Sequence, residues 1–187
     1  MNIILASQSP RRRELLQFLN MDFIIRVADV DETTDPKQSP KDEVARLSRL
    51  KAEAIAHDPA DIVIAADTIV VLDDRILGKP RNEADAKAML TALSGRWHQV
   101  MTGLTVLQGE KQVSCTEITD VCFRELKEEE IVAYIATKEP MDKAGAYGIQ
   151  SGAAPFVERI HGDFYNVVGL PVCRLSQILK EFMEETK

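Results

Sequence analysis

Between Asp61 and Leu72 the chain runs almost without interruption through apolar residues, Ile62-Val63-Ile64-Ala65-Ala66 and then Ile69-Val70-Val71-Leu72. A β-branched run of this kind reads as a strand covered on both faces, and therefore central in a sheet. Asp67 and Thr68 interrupt it. A carboxylate inside a buried strand is costly unless it is paired, hydrogen-bonded or metal-bound. Asp67 either satisfies backbone groups at a strand end or bulge, or stands at a cleft as metal ligand or general base. The isoleucines and valines on both sides argue against a break and favour the second reading.

Strands and helices alternate on the N-terminal side of this run. Ile3-Ile4-Leu5-Ala6 reads as a strand, then Ser7-Gln8-Ser9-Pro10 as a tight loop that opens a helix into Leu15-Leu16. Phe23–Val27 is a short strand, followed by the acidic loop Asp29-Val30-Asp31-Glu32. Ser39-Pro40-Lys41-Asp42 then starts a helix expected to reach about Ala56, with Ser39 as cap and Pro40 at its first position. Beyond the central run, Leu77-Gly78-Lys79-Pro80 is a loop and Asn82 caps a helix ending near Gly95. Trp97–Leu107 and Gln112–Phe123 read as strands joined by a hairpin turn. Glu128-Glu129-Glu130 opens another helix with favourable dipole polarity. A loop of small residues, Asp142–Gln150, precedes a strand near Phe156–Ile160 and a final helix from about Pro171. βα units combined with a hairpin predict a mixed sheet in an α/β fold. The length of 187 residues suits a single domain, residues 1–187, in two lobes around a cleft.

Charge placement is the second constraint. Arg11, Arg12 and Arg13 crowd the end of a helix that already carries the positive dipole pole, an arrangement that makes sense if an anion sits there. With the guanidinium forks alongside, the segment reads as a phosphate site. Lys51 falls within the inward stripe Val44, Leu47, Leu50, Ala54, where snorkelling of its stem competes with a functional reading. Glu32 and Lys79 are uninformative alone. Together, Arg11 to Arg13, Lys51 and Lys79 suit a polyphosphate, while Glu32 and Asp67 suit a divalent cation and an oriented water. His57, His98 and His161 are scattered, so no serine or cysteine nucleophile is implied. Lys143–Gln150 offers a base or sugar pocket, with Gln150 presenting a donor and an acceptor from one amide.

The formal net charge of −7 argues against a nucleic-acid polymer or an anionic membrane as partner. Cys115, Cys122 and Cys173 show no metal-ligand spacing and are expected to be reduced and buried. With no signal peptide and no membrane-length apolar run, a cytoplasmic protein is expected.

These segments together resemble the Maf family of nucleoside triphosphate pyrophosphatases. Leu5-Ala6-Ser7-Gln8-Ser9-Pro10-Arg11-Arg12, Asp31-Glu32, Leu47-Ser48-Arg49-Leu50-Lys51-Ala52, Ala66-Asp67-Thr68, Gly78-Lys79-Pro80, Leu93-Ser94-Gly95, Asp142–Gln150 and Val168-Gly169-Leu170-Pro171 carry the likeness, in family order. The resemblance implies an elongated mixed α/β fold related to inosine triphosphate pyrophosphatases. It implies a metal-dependent hydrolysis of a nucleoside triphosphate to monophosphate and pyrophosphate, with Mg²⁺ or Mn²⁺ as cofactor. By position, Asp67 resembles the general base and, with Glu32, a metal ligand. Ser7, Arg11, Arg12, Lys51 and Lys79 resemble the phosphate-handling set. Arg12, Thr68 and Gln150 match the branch acting on dTTP and UTP. Ser151-Gly152-Ala153-Ala154 after Gln150 departs from relatives that place a glycine there at once. A house-cleaning role against modified pyrimidine nucleotides and a homodimer are expectations of the same kind. The rival expectation is a nucleotide-binding regulator of cell division with little or no hydrolysis.

Overall fold

The structure is a computed structural model and describes residues 1–184 except 28, 36 and 56. Its elements are β1 (Ile3–Leu5), α1 (Pro10–Gln17), β2 (Ile24–Ile25), α2 (Pro40–Glu53), β3 (Ile62–Leu72), β4 (Arg75–Leu77) and α3 (Glu83–Leu93). They continue through β5 (Trp97–Gln108), β6 (Lys111–Phe123), α4 (Glu128–Ala136), β7 (Val157–His161), α5 (Phe164–Val168) and α6 (Val172–Glu184). The strand order is β2-β1-β3-β5-β6-β7, with β4 paired to β3. β1 runs parallel to both β2 and β3, whereas β3–β4 and β6–β7 are antiparallel. This is the expected mixed α/β sheet, with the Asp61–Leu72 run as an inner strand.

Local chemistry sets the helix starts. The Ser9 hydroxyl accepts from the Arg12 N–H at 3.4 Å, Ser39 accepts from Asp42 at 3.2 Å, and Asn82 accepts from Asp85 at 2.9 Å. Pro10 and Pro40 occupy first positions, where a missing N–H costs nothing. α2 ends at Glu53; its expected end, Ala56, lies outside the described residues. β2 is shorter than the expected Phe23–Val27. Two elements were not foreseen, β4 and α5. β4 follows Asp73 and Asp74, both at positive φ, a tight turn that aspartate tolerates better than most residues. Cys115 and Cys122 are half-buried and Cys173 is exposed, which corrects the expectation that all three are buried; all are unpaired. Cys173 stands at the second position of α6, whose buried stripe is Val172, Leu175, Ile178, Leu179 and Phe182. Among the described residues no helix is long and apolar enough to cross a membrane.

The chain divides into two compact units. The first comprises Met1–Asp67, Thr102–Glu117 and Gly169–Lys187. Its core includes Ile4, Ala6, Ala52, Ile55, Val63, Ala65 and Leu107. Within it, α2 lies hard against β5: a Cβ on Gly103 would stand 2.2 Å from the Val44 carbonyl oxygen. One turn on, the Ser48 hydroxyl meets Thr105 Oγ1 at 2.8 Å, and Thr105 meets Ser114 Oγ at 2.9 Å. Ser48 and Thr105 are buried and their hydroxyls are paired, so closeness there leaves neither hydroxyl without a partner.

The second unit comprises Thr68–Met101 and Ile118–Val168. It is built around rings. His98, Phe123 and Tyr147 meet edge to face at centroid distances of 4.8 to 5.5 Å, and Phe156 joins them through Phe123 and Tyr134. His98 Nε2 is 2.8 Å from the Tyr147 hydroxyl. Burial pushes the His98 imidazole down to about 4.

Two tests follow from this packing. Gly103→Ala should lower stability by about 1–3 kcal/mol, because backbone and not a flexible tip blocks the new methyl; urea unfolding midpoints measure it. His98 takes up its proton near pH 4 when folded but near pH 6.5 when unfolded, so the unfolded state binds more protons between these values. Stability is therefore complete above about pH 6.5 and declines toward pH 4. In His98→Gln that part of the decline should vanish from the pH profile of the unfolding free energy.

Candidate active site

In the first unit β1 delivers the chain to a loop that α1 then closes. Ala6 N–H donates to the Ile64 carbonyl at 2.8 Å, which fixes the exit from the strand. The next side chain, Ser7, is buried, and its Oγ accepts from the Ser9 N–H at 3.2 Å and from Arg12 Nη1 at 3.3 Å. Arg12 Nε donates to the Gly169 carbonyl at 2.8 Å. The guanidinium is thus gripped at two points at the N-terminus of α1. Burial lowers its proton affinity, the Asp67 charge opposes this, Arg11 adds to it and Glu32 opposes it. An arginine remains a cation regardless, since its ordinary value lies far above neutrality.

β3 and α2 supply the other half. Asp67 ends the first unit's share of β3, with its side chain only 12% exposed. Lys51 Nζ lies 2.5 Å from Asp67 Oδ1 and 2.9 Å from Glu32 Oε1. One ammonium therefore bridges two carboxylates, one buried and one exposed on the acidic loop. This pairing answers the cost of placing Asp67 in an apolar strand. The same unit thus gathers Ser7, Arg12, Glu32, Lys51 and Asp67. Arg11 is half-buried on α1, close enough for its charge to act on Arg12.

Arg13 belongs elsewhere. It lines a cavity of about 440 Å³ with Gln17, Met21, Asp22, Phe23 and Ile25. The proposed basic triplet is therefore divided, with Arg12 turned to Ser7 and the Gly169 carbonyl, and Arg13 turned to this cavity.

Thr68, Lys79 and Gln150 fall in the second unit. Thr68 directly follows Asp67 in β3 and is half-buried; Lys79 and Gln150 are exposed on loops. Those two loops are joined, since the Gly145 N–H donates to the Gly78 carbonyl at 3.1 Å. Gly145 has φ +66 and packs on Val70, so both its conformation and its lack of a side chain are required there.

The sequence reading missed two sets of supporting contacts. Glu43 is buried on α2 and pairs with Arg46 at 2.6 Å; its Oε1 also accepts from the Asp35 N–H at 3.2 Å. Arg46 Nη2 donates to the Thr33 carbonyl at 2.9 Å. The pair therefore ties the loop that bears Glu32 to the helix that bears Lys51, and Arg46 holds the Glu43 carboxyl below its usual range. In the second unit Glu139 accepts from the Tyr134 hydroxyl at 3.0 Å, from Ser151 Oγ, and from the Gly152 N–H at 3.1 Å. Tyr134 Oη in turn accepts from the Gly148 N–H at 3.2 Å. Burial and the bond to Glu139 raise the phenol's proton affinity, so it stays a neutral donor. The Ser151-Gly152 departure after Gln150 is thus built into this network.

The donor set fits a hard divalent cation. Glu32 and Asp67 offer carboxylate oxygens, the ligand type Mg²⁺ and Mn²⁺ prefer. No group of three potential side-chain ligands is found among the described residues, so water and phosphate oxygens would complete the coordination. Arg46→Ala should free the Glu32 loop: amide hydrogen exchange at Thr33 and Asp35 should speed up by about tenfold or more, as for a local opening that lost its tether.

Comparison with known proteins extends these observations. The family model described as Maf-like protein matches residues 2–182. A dTTP/UTP pyrophosphatase of Bacillus cereus is 54% identical over 181 residues, covering 96% of this chain and 95% of that protein. A dTTP/UTP pyrophosphatase of Bacillus anthracis is 53% identical over 181 residues, with the same coverage of 96% and 95%. Among solved structures, a HAM1 protein from Coxiella burnetii aligns with a TM-score of 0.49 at 17% identity, covering 97% of this chain and 99% of that one.

Proposed function

The chain belongs to the Maf family, and from that premise we propose that it is a nucleoside triphosphate pyrophosphatase, hydrolysing dTTP and UTP to the monophosphate and pyrophosphate. The observation that carries this reading is the buried Asp67 carboxylate, held by Lys51 beside Glu32 and within the field of Arg12. A nucleotide-binding regulator has use for Arg11, Arg12 and Lys79 but none for an ion-paired acid in the middle of a central strand. Relatives more than half identical over nearly the whole chain bear the name dTTP/UTP pyrophosphatase, which supports the same choice.

In the mechanism the N-terminus of α1, Ser7, Arg11 and Arg12 bind phosphate oxygens, and Lys79 adds charge from its loop. Asp67 accepts the proton of the water that attacks the α-phosphorus. Lys51 holds Asp67 in place and neutralises charge that grows on the departing pyrophosphate. Glu32 and Asp67 would hold Mg²⁺ or Mn²⁺, which when bound neutralises the polyphosphate. Thr68, Gln150 and Arg12 set base preference in this reading. The Gln150 amide bonds the pyrimidine edge, and a base that leaves it unpaired loses about 1–3 kcal/mol. A cytoplasmic setting and a house-cleaning role against modified pyrimidine nucleotides belong to the same proposal. The unpaired cysteines suit a reducing compartment, and the net charge of −7 suits a small ligand over a nucleic-acid polymer.

The test is product identity and rate over a panel of nucleoside triphosphates with Mg²⁺. Wild-type protein should release pyrophosphate with TMP or UMP, and Asp67→Asn should be slower by about 10²–10⁴-fold. In the same panel, Gln150→Ala should narrow the preference for dTTP over GTP. Tight nucleotide binding without turnover on any substrate would overturn the enzymatic reading; orthophosphate as the product would overturn the position of cleavage.

A further inference from the structure

Gln150 is the third residue of the turn Gly148–Ser151, which closes where the Ser151 N–H donates to the Gly148 carbonyl at 3.3 Å. Both arms of that turn are tied to one pair of side chains. On the incoming arm the Gly148 N–H donates to Tyr134 Oη at 3.2 Å. On the outgoing arm the Glu139 carboxylate accepts from Ser151 Oγ and from the Gly152 N–H at 3.1 Å. The Tyr134 hydroxyl donates to Glu139 Oε1 at 3.0 Å, so the two grips are joined.

The pair is itself anchored. Tyr134 is buried on α4, with its ring edge to face against Phe156 at 5.3 Å. Thr137 Oγ1 donates to the Tyr134 carbonyl at 2.6 Å and accepts from the Glu139 N–H at 3.2 Å. Lys143 Nζ donates to the Glu139 carbonyl at 2.7 Å. A Cβ on Gly152 would stand 2.8 Å from Glu139 Oε2 and 2.9 Å from Tyr134 Cε2, so the outgoing arm is pressed onto both. Burial works to raise the Glu139 carboxyl, yet the Ser151 and Tyr134 hydroxyls and the Gly152 N–H hold it below its usual range. Near neutral pH it is therefore an acceptor only. Ser151 and Gly152 are exposed, so the bonds to them fix the turn and add little to the core.

We propose that Tyr134 and Glu139 are positioning residues for base selection, which grip both arms of the turn and so fix where the Gln150 amide presents its donor and acceptor. The inference rests on the reading of Gln150 as the group that meets the pyrimidine edge. Hydrogen bonds weaken steeply when misaligned, so an amide discriminates between bases only from a fixed direction. On a loose turn the same amide would meet either class of base, and ordering the backbone would be charged against binding.

A kinetic double-mutant cycle tests this, with amide hydrogen exchange beside it. Tyr134→Phe keeps the ring and removes the hydroxyl. Exchange at Ser151 and Gly152 should then quicken by about tenfold or more. The preference for dTTP over GTP, as a ratio of kcat/KM, should narrow by about three- to tenfold, through KM for dTTP with its kcat kept. Ser151→Ala, at an exposed position, should do the same in smaller measure. In a Gln150→Ala background neither substitution should narrow the ratio further, because the group they aim is gone. Equal losses with and without the Gln150 amide would make Tyr134 a structural residue and overturn the proposal. A ratio unchanged in both Tyr134→Phe and Ser151→Ala, while Gln150→Ala narrows it, would also overturn it and leave the role of Gln150 standing. A ratio untouched by Gln150→Ala would remove the role of Gln150 and the proposal with it.

Discussion

One ammonium between two carboxylates is the contact on which the site depends. Asp67 lies in a strand whose other residues are nearly all apolar, and a carboxylate there without a counter-charge would cost several kcal/mol. Lys51 supplies the counter-charge from α2 and reaches Glu32 with the same nitrogen. Three segments far apart in sequence, the acidic loop, α2 and β3, are thereby brought to a common point. Arg12 senses both acids from a fourth. Each charge in the group is tolerable because the others are present.

Such balance needs rigid supports. Van der Waals contact of α2 with β5 at Gly103 sets the distance of the helix from the sheet, and the Ser48–Thr105 bond fixes its rotation. Arg46 and Glu43 hold the acidic loop against the same helix. The Lys51 stem therefore leaves a helix that cannot rise or turn without breaking buried contacts, and Glu32 is carried on a loop tied at two backbone atoms. Ser7 and the Gly169 carbonyl do the same for the Arg12 fork. Precision at the charged centre comes from side chains and glycines that bear no charge to the substrate.

What could be read in the sequence was what violates a local rule. Asp67 announced itself because acids are rare in β-branched runs, and Lys51 because it falls on the apolar stripe of its helix. Ser9-Pro10 and Ser39-Pro40 marked helix starts through backbone chemistry that acts within four residues. Features with no such violation were silent. Glu43 and Arg46, three apart on a helix, look like an ordinary solvated pair until the fold buries Glu43. Gly169 contributes a carbonyl, which every residue possesses. Glu139 gains its meaning from Tyr134 and Gly152, and only folding brings them together. Arg13 looked equivalent to its two neighbours, yet successive positions on a helix are turned by about 100° and cannot share one ligand equally. Cys173 was expected inside because cysteine usually is, and its place on the outer side of α6 is set by the phase of that helix and not by residue type.

The chain passes between its two units within β3, β5 and β6 and again at Val168–Gly169. The first passage lies between Asp67 and Thr68, and the last comes at the residue whose carbonyl receives Arg12. Neither unit is a continuous stretch of sequence, so neither can be expressed by truncation, exchanged as a cassette or lost by a single deletion. Recombination between relatives would have to replace several separated segments at once to transplant one of them. The acid of the site and its neighbour in the next unit are joined by a single peptide bond, and descent must have carried the two together.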